Sequence, residues 1–401
     1  MRSVVVVGAS LAGLRAAEAL RHEGFEGALT VVGDEPHRPY DRPPLSKRVL
    51  AGEWGPERTT LDTFGGKELD VEWRLGVGAA SLDLGSRTVA LEDGAALAFD
   101  GLVIATGAAP RRLPGTEDRA GVHVLRTLDD CLALRADLDA GPRRVVVVGA
   151  GFIGAEVAAT CRGRGLDVTL LEALPVPLGR VLGDDIGSVY AAVHRDHGVD
   201  VRTGVGVAGF DGGDRVERVR LADGTTVGAD VVVVGVGVVP ATGWLVGSGL
   251  TLDDGVVCDE TCLAAPGVVA AGDVARWPNR RFGQMMRVEH WDNAIDQGAH
   301  AARRLLDGDG PGTPYEPVPW FWSDQYDRKL TMVGRPGPGD EMVVVDGSLA
   351  ERRFVALYGR AGQVVGALGM NRPAPVMRYR ARIADGLAWD DALAELDKEI
   401  P

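Results

Sequence analysis

"VVVVGASLAG" at 4–13 and "VVVVGAGFIG" at 145–154 are one phrase written twice, with Ser10 in the first copy where the second has Gly151. Four β-branched residues in a row suit a strand buried on both faces of a parallel sheet. Each run then enters a small-residue turn, Gly8, Ser10, Ala12 and Gly13 in the first copy and Gly149, Gly151 and Gly154 in the second, and passes into alanine-rich helical sequence. In that spacing the first glycine makes the turn, the second lets a pyrophosphate approach the backbone, and the third lets helix pack on strand. The helix that starts there offers unsatisfied N–H groups and a positive dipole end to the phosphates. At Ser10 the free approach of a glycine is lost, but a small residue still fits.

Each copy is followed by a second strand ending in an acid. "GALTVVGDE" (27–35) places Asp34 and Glu35 at the first strand end, either of which can face a ribose, and "LDVTLLEA" (166–173) places Glu172 at the second. An acid there accepts hydrogen bonds from an adenosine ribose, and Glu172 would repel a 2′-phosphate, so the second site is expected to prefer NAD over NADP. Two dinucleotide sites in one chain resemble the flavoprotein disulfide reductases, and that resemblance implies FAD at the first and an exchangeable NADH at the second. "FDGLVIATGAAPR" (99–111) and "ADVVVVGVGVVP" (229–240) close the two units, and "APGVVAAGDVA" (265–275) ends in Gly272 and Asp273.

The rest of the composition narrows the class. A chain of 401 residues, 45% apolar and 25% charged, is long enough for two or three domains. Its net charge of −14 argues against a general affinity for nucleic acid or an anionic membrane. The longest apolar run besides the opening one, 231–239, is about half of a spanning helix, no signal peptide is legible, and a cytoplasmic location is expected. Cys131, Cys161, Cys258 and Cys262 form no Cys-x-x-Cys pair and read as buried small hydrophobes; His194 and His197 have no third ligand nearby and read as a solvated helix end, so no metal site is expected.

In "RPYDRPPLSK" (38–47), "VLRTLDD" (124–130), "GFIGAEVAAT" (151–160), "VEHWDNAIDQG" (288–298) and "PWFWSDQYDRKLTMVG" (319–334) the chain resembles the NADH-dependent ferredoxin reductases of multicomponent monooxygenases and dioxygenases, along essentially its whole length. The resemblance implies an α/β fold: two dinucleotide-binding, Rossmann-like domains of the glutathione-reductase type plus a C-terminal α+β domain. The expected partition is 1–112 with 241–312 for FAD, 113–240 for NAD, and 313–401 at the C-terminus. It implies FAD contacts at Gly8, Ala12, Gly13, Asp34 or Glu35, Arg42, Lys47, Ala80, Arg126, Asp273, Trp291 and Trp322. For NADH it implies Gly149, Gly151, Phe152, Ile153, Gly154, Glu156, Glu172, Arg180 and Gly237. Lys47, Glu156 and Trp322 are the residues it places closest to the chemistry, with Glu156 near the nicotinamide carboxamide. If "WFWSDQ" is a strand, Trp320 and Trp322 share a face and Phe321 takes the other.

Disulfide reductases of this fold carry a redox cysteine pair where this chain has Pro43, Pro44, Leu45, Ser46 and Lys47. Without a thiolate no dithiol relay can form, and the resemblance implies that electrons leave to an iron–sulfur ferredoxin, which serves a cytochrome P450 or Rieske-type oxygenase. Docking an acidic ferredoxin on an acidic chain calls for a local positive rim: Arg378 and Arg380 first, with Arg372 and Arg382 beside them, then Arg328 and Lys329, and Arg303 and Arg304. Two letters depart from the family pattern that the resemblance implies, Ala299 where a ferredoxin-docking arginine is expected and Ala241 where asparagine is usual. A monomer or weak homodimer is expected. An NADH oxidase or rubredoxin reductase of the same fold, and a redox-controlled binding protein resembling apoptosis-inducing factor, are the alternatives.

Overall fold

The structure is a computed structural model describing residues 1–63, 66, 69–116 and 119–396. It divides into two compact units, Met1–Asp41 with Thr59–Ala109 and Val239–Pro319, and Arg42–Arg58 with Pro110–Val238 and Trp320–Pro401.

In the first unit the strand Ser3–Val7 lies between Ala28–Gly33 and Gly101–Ile104, parallel to both. Glu72–Leu75 extends the sheet on one side; Val268–Ala270 and then antiparallel Leu263–Ala265 extend it on the other. The valine run is buried on both faces, as a central parallel strand requires. The helix Leu11–His22 packs along Trp291–Leu306, and Gly298 allows the approach: a Cβ there would stand 2.4 Å from the Ala12 carbonyl oxygen. The proline- and glycine-rich segment 306–320 is fastened in this unit as far as Pro319. Tyr315 and Val318 are buried, and the Trp277 indole N–H donates to the Tyr315 carbonyl at 3.0 Å.

The second unit repeats the parallel plan in five strands, in the order Asp200–Thr203, Asp167–Glu172, Arg144–Val148, Val231–Val234, Val122–His123. A second sheet of five antiparallel strands follows, ordered Trp320–Gln325, Arg328–Gly334, Gln363–Met370, Arg353–Arg360, Glu341–Ser348. The helices Pro373–Ala384 and Trp389–Leu396 complete this α+β part. The stretch "ALAELDKEI" (392–400) predicts a closing helix; residues 392–396 lie in one, and 397–400 lie outside the described residues.

Residues 42–58, expected with the first unit, belong to the second. Their carbonyls explain it: Ser46 accepts the Thr160 hydroxyl at 2.7 Å, Leu50 accepts Arg164 at 2.8 Å, and Trp54 accepts Arg135 at 3.2 Å. The C-terminal sheet joins the same unit through Phe321 against Phe152 and the Tyr358 hydroxyl donating to the Leu182 carbonyl at 2.9 Å.

Candidate functional site

At both turns the outer glycines are imposed by the fold and the middle residue is not. Gly8 and Gly149 have φ of +120° and +98°, and a Cβ would lie 2.0 Å from the Ala105 carbonyl oxygen or 2.3 Å from that of Gly235. A Cβ on Gly13 or Gly154 would lie 1.8 or 2.0 Å from the carbonyl oxygen of the turn glycine itself. Ser10 and Gly151 are extended, with φ of −112° and −71°, and a Cβ on Gly151 would meet nothing within 4 Å. Open space there leaves room for a phosphate. The helices that follow, Leu11–His22 and Phe152–Gly163, have no side-chain cap and no acid in the first turn. By contrast Leu128–Asp139 starts with a capping box of Thr127 and Asp130. Both glycine-turn helices thus keep their positive ends for an anion, so the residues present fit a dinucleotide pyrophosphate at each.

Within the first unit, Asp34 is exposed and its Oδ1 accepts the Glu35 N–H at 3.0 Å, while the Tyr40 hydroxyl donates to Glu35 Oε2 at 2.5 Å. Ala80 sits at an irregularity between the strands Ala79–Asp83 and Thr88–Leu91. Gly272, at φ +76°, packs toward Ala12: a Cβ on it would stand 2.9 Å from the Ala12 Cβ. Its N–H donates to Gln297 Oε1 at 2.9 Å, which fixes the turn carrying Asp273 beside the helix of the first glycine turn. Trp291 opens the helix Trp291–Leu306, and its indole N–H donates to Asp41 at 2.7 Å.

Within the second unit, Glu172 ends its strand, and its carboxylate accepts the N–H of Ala150 and of Leu174, each at 2.9 Å. The expected ribose acid is therefore held by the turn it serves. Ile153 is an exposed apolar residue at the helix start, whereas Phe152 turns inward on Phe321 and Tyr190. Arg180 is exposed in the short helix Gly179–Leu182, and Gly237 has φ +95° with its carbonyl accepting the Arg111 N–H at 2.9 Å. Arg42 donates to the Arg126 carbonyl at 2.7 Å, bringing those two together.

Lys47 and Glu156 meet: Nζ stands 2.6 Å from Oε2, with Glu156 only 3% exposed. Ser46 donates to the same oxygen at 2.5 Å, and Ser323 donates to Oε1 at 2.7 Å. A buried carboxylate is tolerated only with such partners. Sequence reasoning named Lys47 and Glu156 but missed Ser46, Ser323 and Gln325. The alternation in "WFWSDQ" holds the missed signal: Trp320 and Trp322 stack on one face, 5.4 Å apart, so Phe321, Ser323 and Gln325 share the other.

All four cysteines are buried free thiols, and burial pushes Cys131, Cys161 and Cys262 up to about 12 and Cys258 in the same direction. No group of residues able to hold a metal ion occurs among the described residues. His194 corrects the sequence reading, for it is fully buried instead of solvated. Burial lowers it to about 4, and its Nδ1 lies 2.9 Å from the Tyr326 hydroxyl.

The profile of the pyridine nucleotide-disulphide oxidoreductase family matches residues 2–298. The chain belongs to that family. A second profile, the reductase C-terminal family, matches residues 320–400 of this pyridine nucleotide-disulphide oxidoreductase. It is similar to the 5,5′-dehydrodivanillate O-demethylase ferredoxin reductase subunit of a Sphingobium species, 40% identical over 99% of this chain and 97% of that one. It is also similar to putidaredoxin reductase of Pseudomonas putida, 37% identical over 100% of this chain and 95% of that one. Among solved structures, the covalent putidaredoxin reductase–putidaredoxin complex superimposes with a TM-score of 0.90 at 36% identity, covering 96% of this chain and 93% of that one. The fold expected from the doubled glycine phrase is the fold of this family.

The arginines expected to form a docking rim fare unequally. Arg304 is buried and donates to the Thr261 hydroxyl at 2.9 Å, which removes it from any rim. Arg303 pairs with Glu23, Arg328 with Asp327, Lys329 with Asp324, Arg372 with Asp346 and Arg382 with Glu395. Arg378 is exposed on the helix Pro373–Ala384 and Arg380 is half-buried there.

Proposed function

We propose that the chain is an FAD-dependent NADH:ferredoxin reductase serving a cytochrome P450 or Rieske-type oxygenase. One observation carries the reading: where disulfide reductases of this fold place their redox cysteines, this chain has Ser46 and Lys47 bound to the buried Glu156, and its four thiols are buried and held protonated. Electrons therefore have no thiol to pass through. Whole-length relatives named as ferredoxin reductase subunits supply the acceptor class.

FAD, when bound, takes a hydride equivalent from NADH and releases the electrons singly. The chain's part is to bind and orient. Gly8, Ser10, Ala12 and Gly13 leave the first helix end for a pyrophosphate, with Glu35, oriented by Tyr40, as the ribose acceptor and Asp273 and Trp291 on the same unit. Arg42, Lys47, Ala80, Arg126 and Trp322 remain the other groups assigned to FAD by resemblance. Gly149, Gly151, Ile153 and Gly154 shape the NADH turn, with Phe152, Arg180 and Gly237 assigned beside it, and Glu172 selects against a 2′-phosphate. Lys47 and Glu156 hold a fixed charge pair for the reacting end of NADH. Arg378, exposed on the helix Pro373–Ala384, and Arg380 on the same helix are the first candidates for docking the ferredoxin, in the densest run of arginines in the chain.

No described helix is long and apolar enough to cross a membrane; a cytoplasmic location is part of this reading. The test is stopped-flow bleaching of the flavin by NADH and by NADPH, followed by titration with two-iron ferredoxins. Rapid bleaching by NADH, slow bleaching by NADPH and turnover that rises with ferredoxin are expected. Turnover with oxygen alone at the ferredoxin-supported rate would replace the reading by an oxidase.

A further inference from the structure

We propose that Ser323 and Gln325 are positioning residues that lock the Glu156–Lys47 pair through a one-way chain of hydrogen bonds, and so set the rate of hydride transfer in the reductase proposed above. The direction of the chain follows from its chemistry. Glu156 as a carboxylate only accepts, so the one hydroxyl proton of Ser323 is committed to Oε1 at 2.7 Å. The Ser323 oxygen must then accept, and Gln325 Nε2 donates to it at 3.0 Å. The other Gln325 N–H goes to the Tyr190 hydroxyl. Tyr190 is buried, and burial raises it well above the ordinary phenol range, so it stays a neutral partner. The order is amide to hydroxyl to carboxylate, each bond polarising the next.

Burial makes the chain consequential. Ser323 and Gln325 are 1% and 5% exposed, so water does not replace a lost donor. Ser46 and Lys47 both bind Oε2, which leaves Oε1 to be steered by Ser323. The strand Trp320–Gln325 thus carries Trp322 on one face and fixes Glu156 from the other.

The test compares Ser323→Ala, Ser323→Thr, Gln325→Leu and the double variant Ser323→Ala/Gln325→Leu. In protein freed of FAD, acetylation of Lys47 by an amine-reactive ester is followed by mass spectrometry; Ser323→Ala is expected to speed it several-fold and Ser323→Thr to leave it at the wild-type rate. In FAD-loaded protein the limiting rate of flavin bleaching is expected to fall roughly tenfold in Ser323→Ala, the loss of one buried bond to a charged group, with the KM for NADH within about twofold. Gln325→Leu also loses the Tyr190 contact but reaches Glu156 only through Ser323, so it should slow bleaching less, and the double variant should match Ser323→Ala alone. Unchanged Lys47 acetylation and bleaching in Ser323→Ala overturn the proposal, as does an additive double variant. Should Ser323→Ala not fold, Gln325→Leu decides: a wild-type bleaching rate in it counts against the chain. If wild-type protein itself is not reduced by NADH, the reductase reading falls, while the Lys47 result still judges the hydrogen-bond chain.

Discussion

The two glycine turns share their two outer positions and differ at the middle one, and the difference separates what the fold demands from what a ligand demands. Gly8 and Gly149 hold left-handed φ values against a neighbouring carbonyl; Gly13 and Gly154 sit where a methyl would strike the turn. Ser10 and Gly151 do neither, since both are extended. Serine at 10 is therefore no defect of the first turn, and glycine at 151 has no reason inside the protein. Under the proposed reading its reason is the open space above it, which suits an exchangeable NADH at the second turn, while FAD held at the first tolerates a closer wall.

The largest expected effect comes from breaking the shared positions. Gly149→Ala forces a positive φ and a 2.3 Å contact with a carbonyl, and Gly8→Ala a 2.0 Å contact. Either should cost more than about 3 kcal/mol. Thermal unfolding checks this, and a Tm within a few degrees of wild type would show that the turns are softer than their geometry.

Next comes Glu172→Gln. The amide oxygen can replace only one of the two acceptors that hold the N–H groups of Ala150 and Leu174, and the negative charge is gone. The KM for NADH should rise roughly five- to tenfold with kcat little changed, and discrimination against NADPH should narrow by about tenfold, about 1.4 kcal/mol. Steady-state kinetics with both nucleotides settles it; preserved discrimination would move the specificity elsewhere, Arg180 included.

How much of this was legible depends on the range of the interaction. The turns, the acids at the strand ends, the shared face of Trp320 and Trp322 and the inert cysteines follow from spacing and composition, because each is decided within about thirty residues or by burial of an apolar run. The union of Ser46, Lys47, Glu156 and Ser323 is not local. Ser323 lies 167 residues beyond Glu156, and only the docking of the strand Trp320–Gln325 on the helix Phe152–Gly163 brings them together. The same holds for residues 42–58, whose place is set by carbonyls that find donors on Thr160 and Arg164. His194 was misread for the opposite reason: its local pattern is that of a helix end, but Tyr190 and Tyr326 cover it. Charge runs mislead similarly, since the arginines in "NRPAPVMRYRARI" look like a patch until Asp346 and Glu395 claim two of them.

The middle position itself gives the two smallest effects, and they should be opposite in kind. Gly151→Ser introduces a side chain into open space, so Tm should hold within about 2 °C, while the KM for NADH rises roughly threefold because the hydroxymethyl group occupies the phosphate's approach. Ser10→Gly should change less still, since glycine at a helix N-cap costs only a few tenths of a kcal/mol relative to serine. Tm and FAD retention through gel filtration measure it. If Ser10→Gly loosens FAD by as much as Gly151→Ser loosens NADH, the serine is itself a contact of the first site, and the two turns differ in how they hold a pyrophosphate as well as in how much room they leave it.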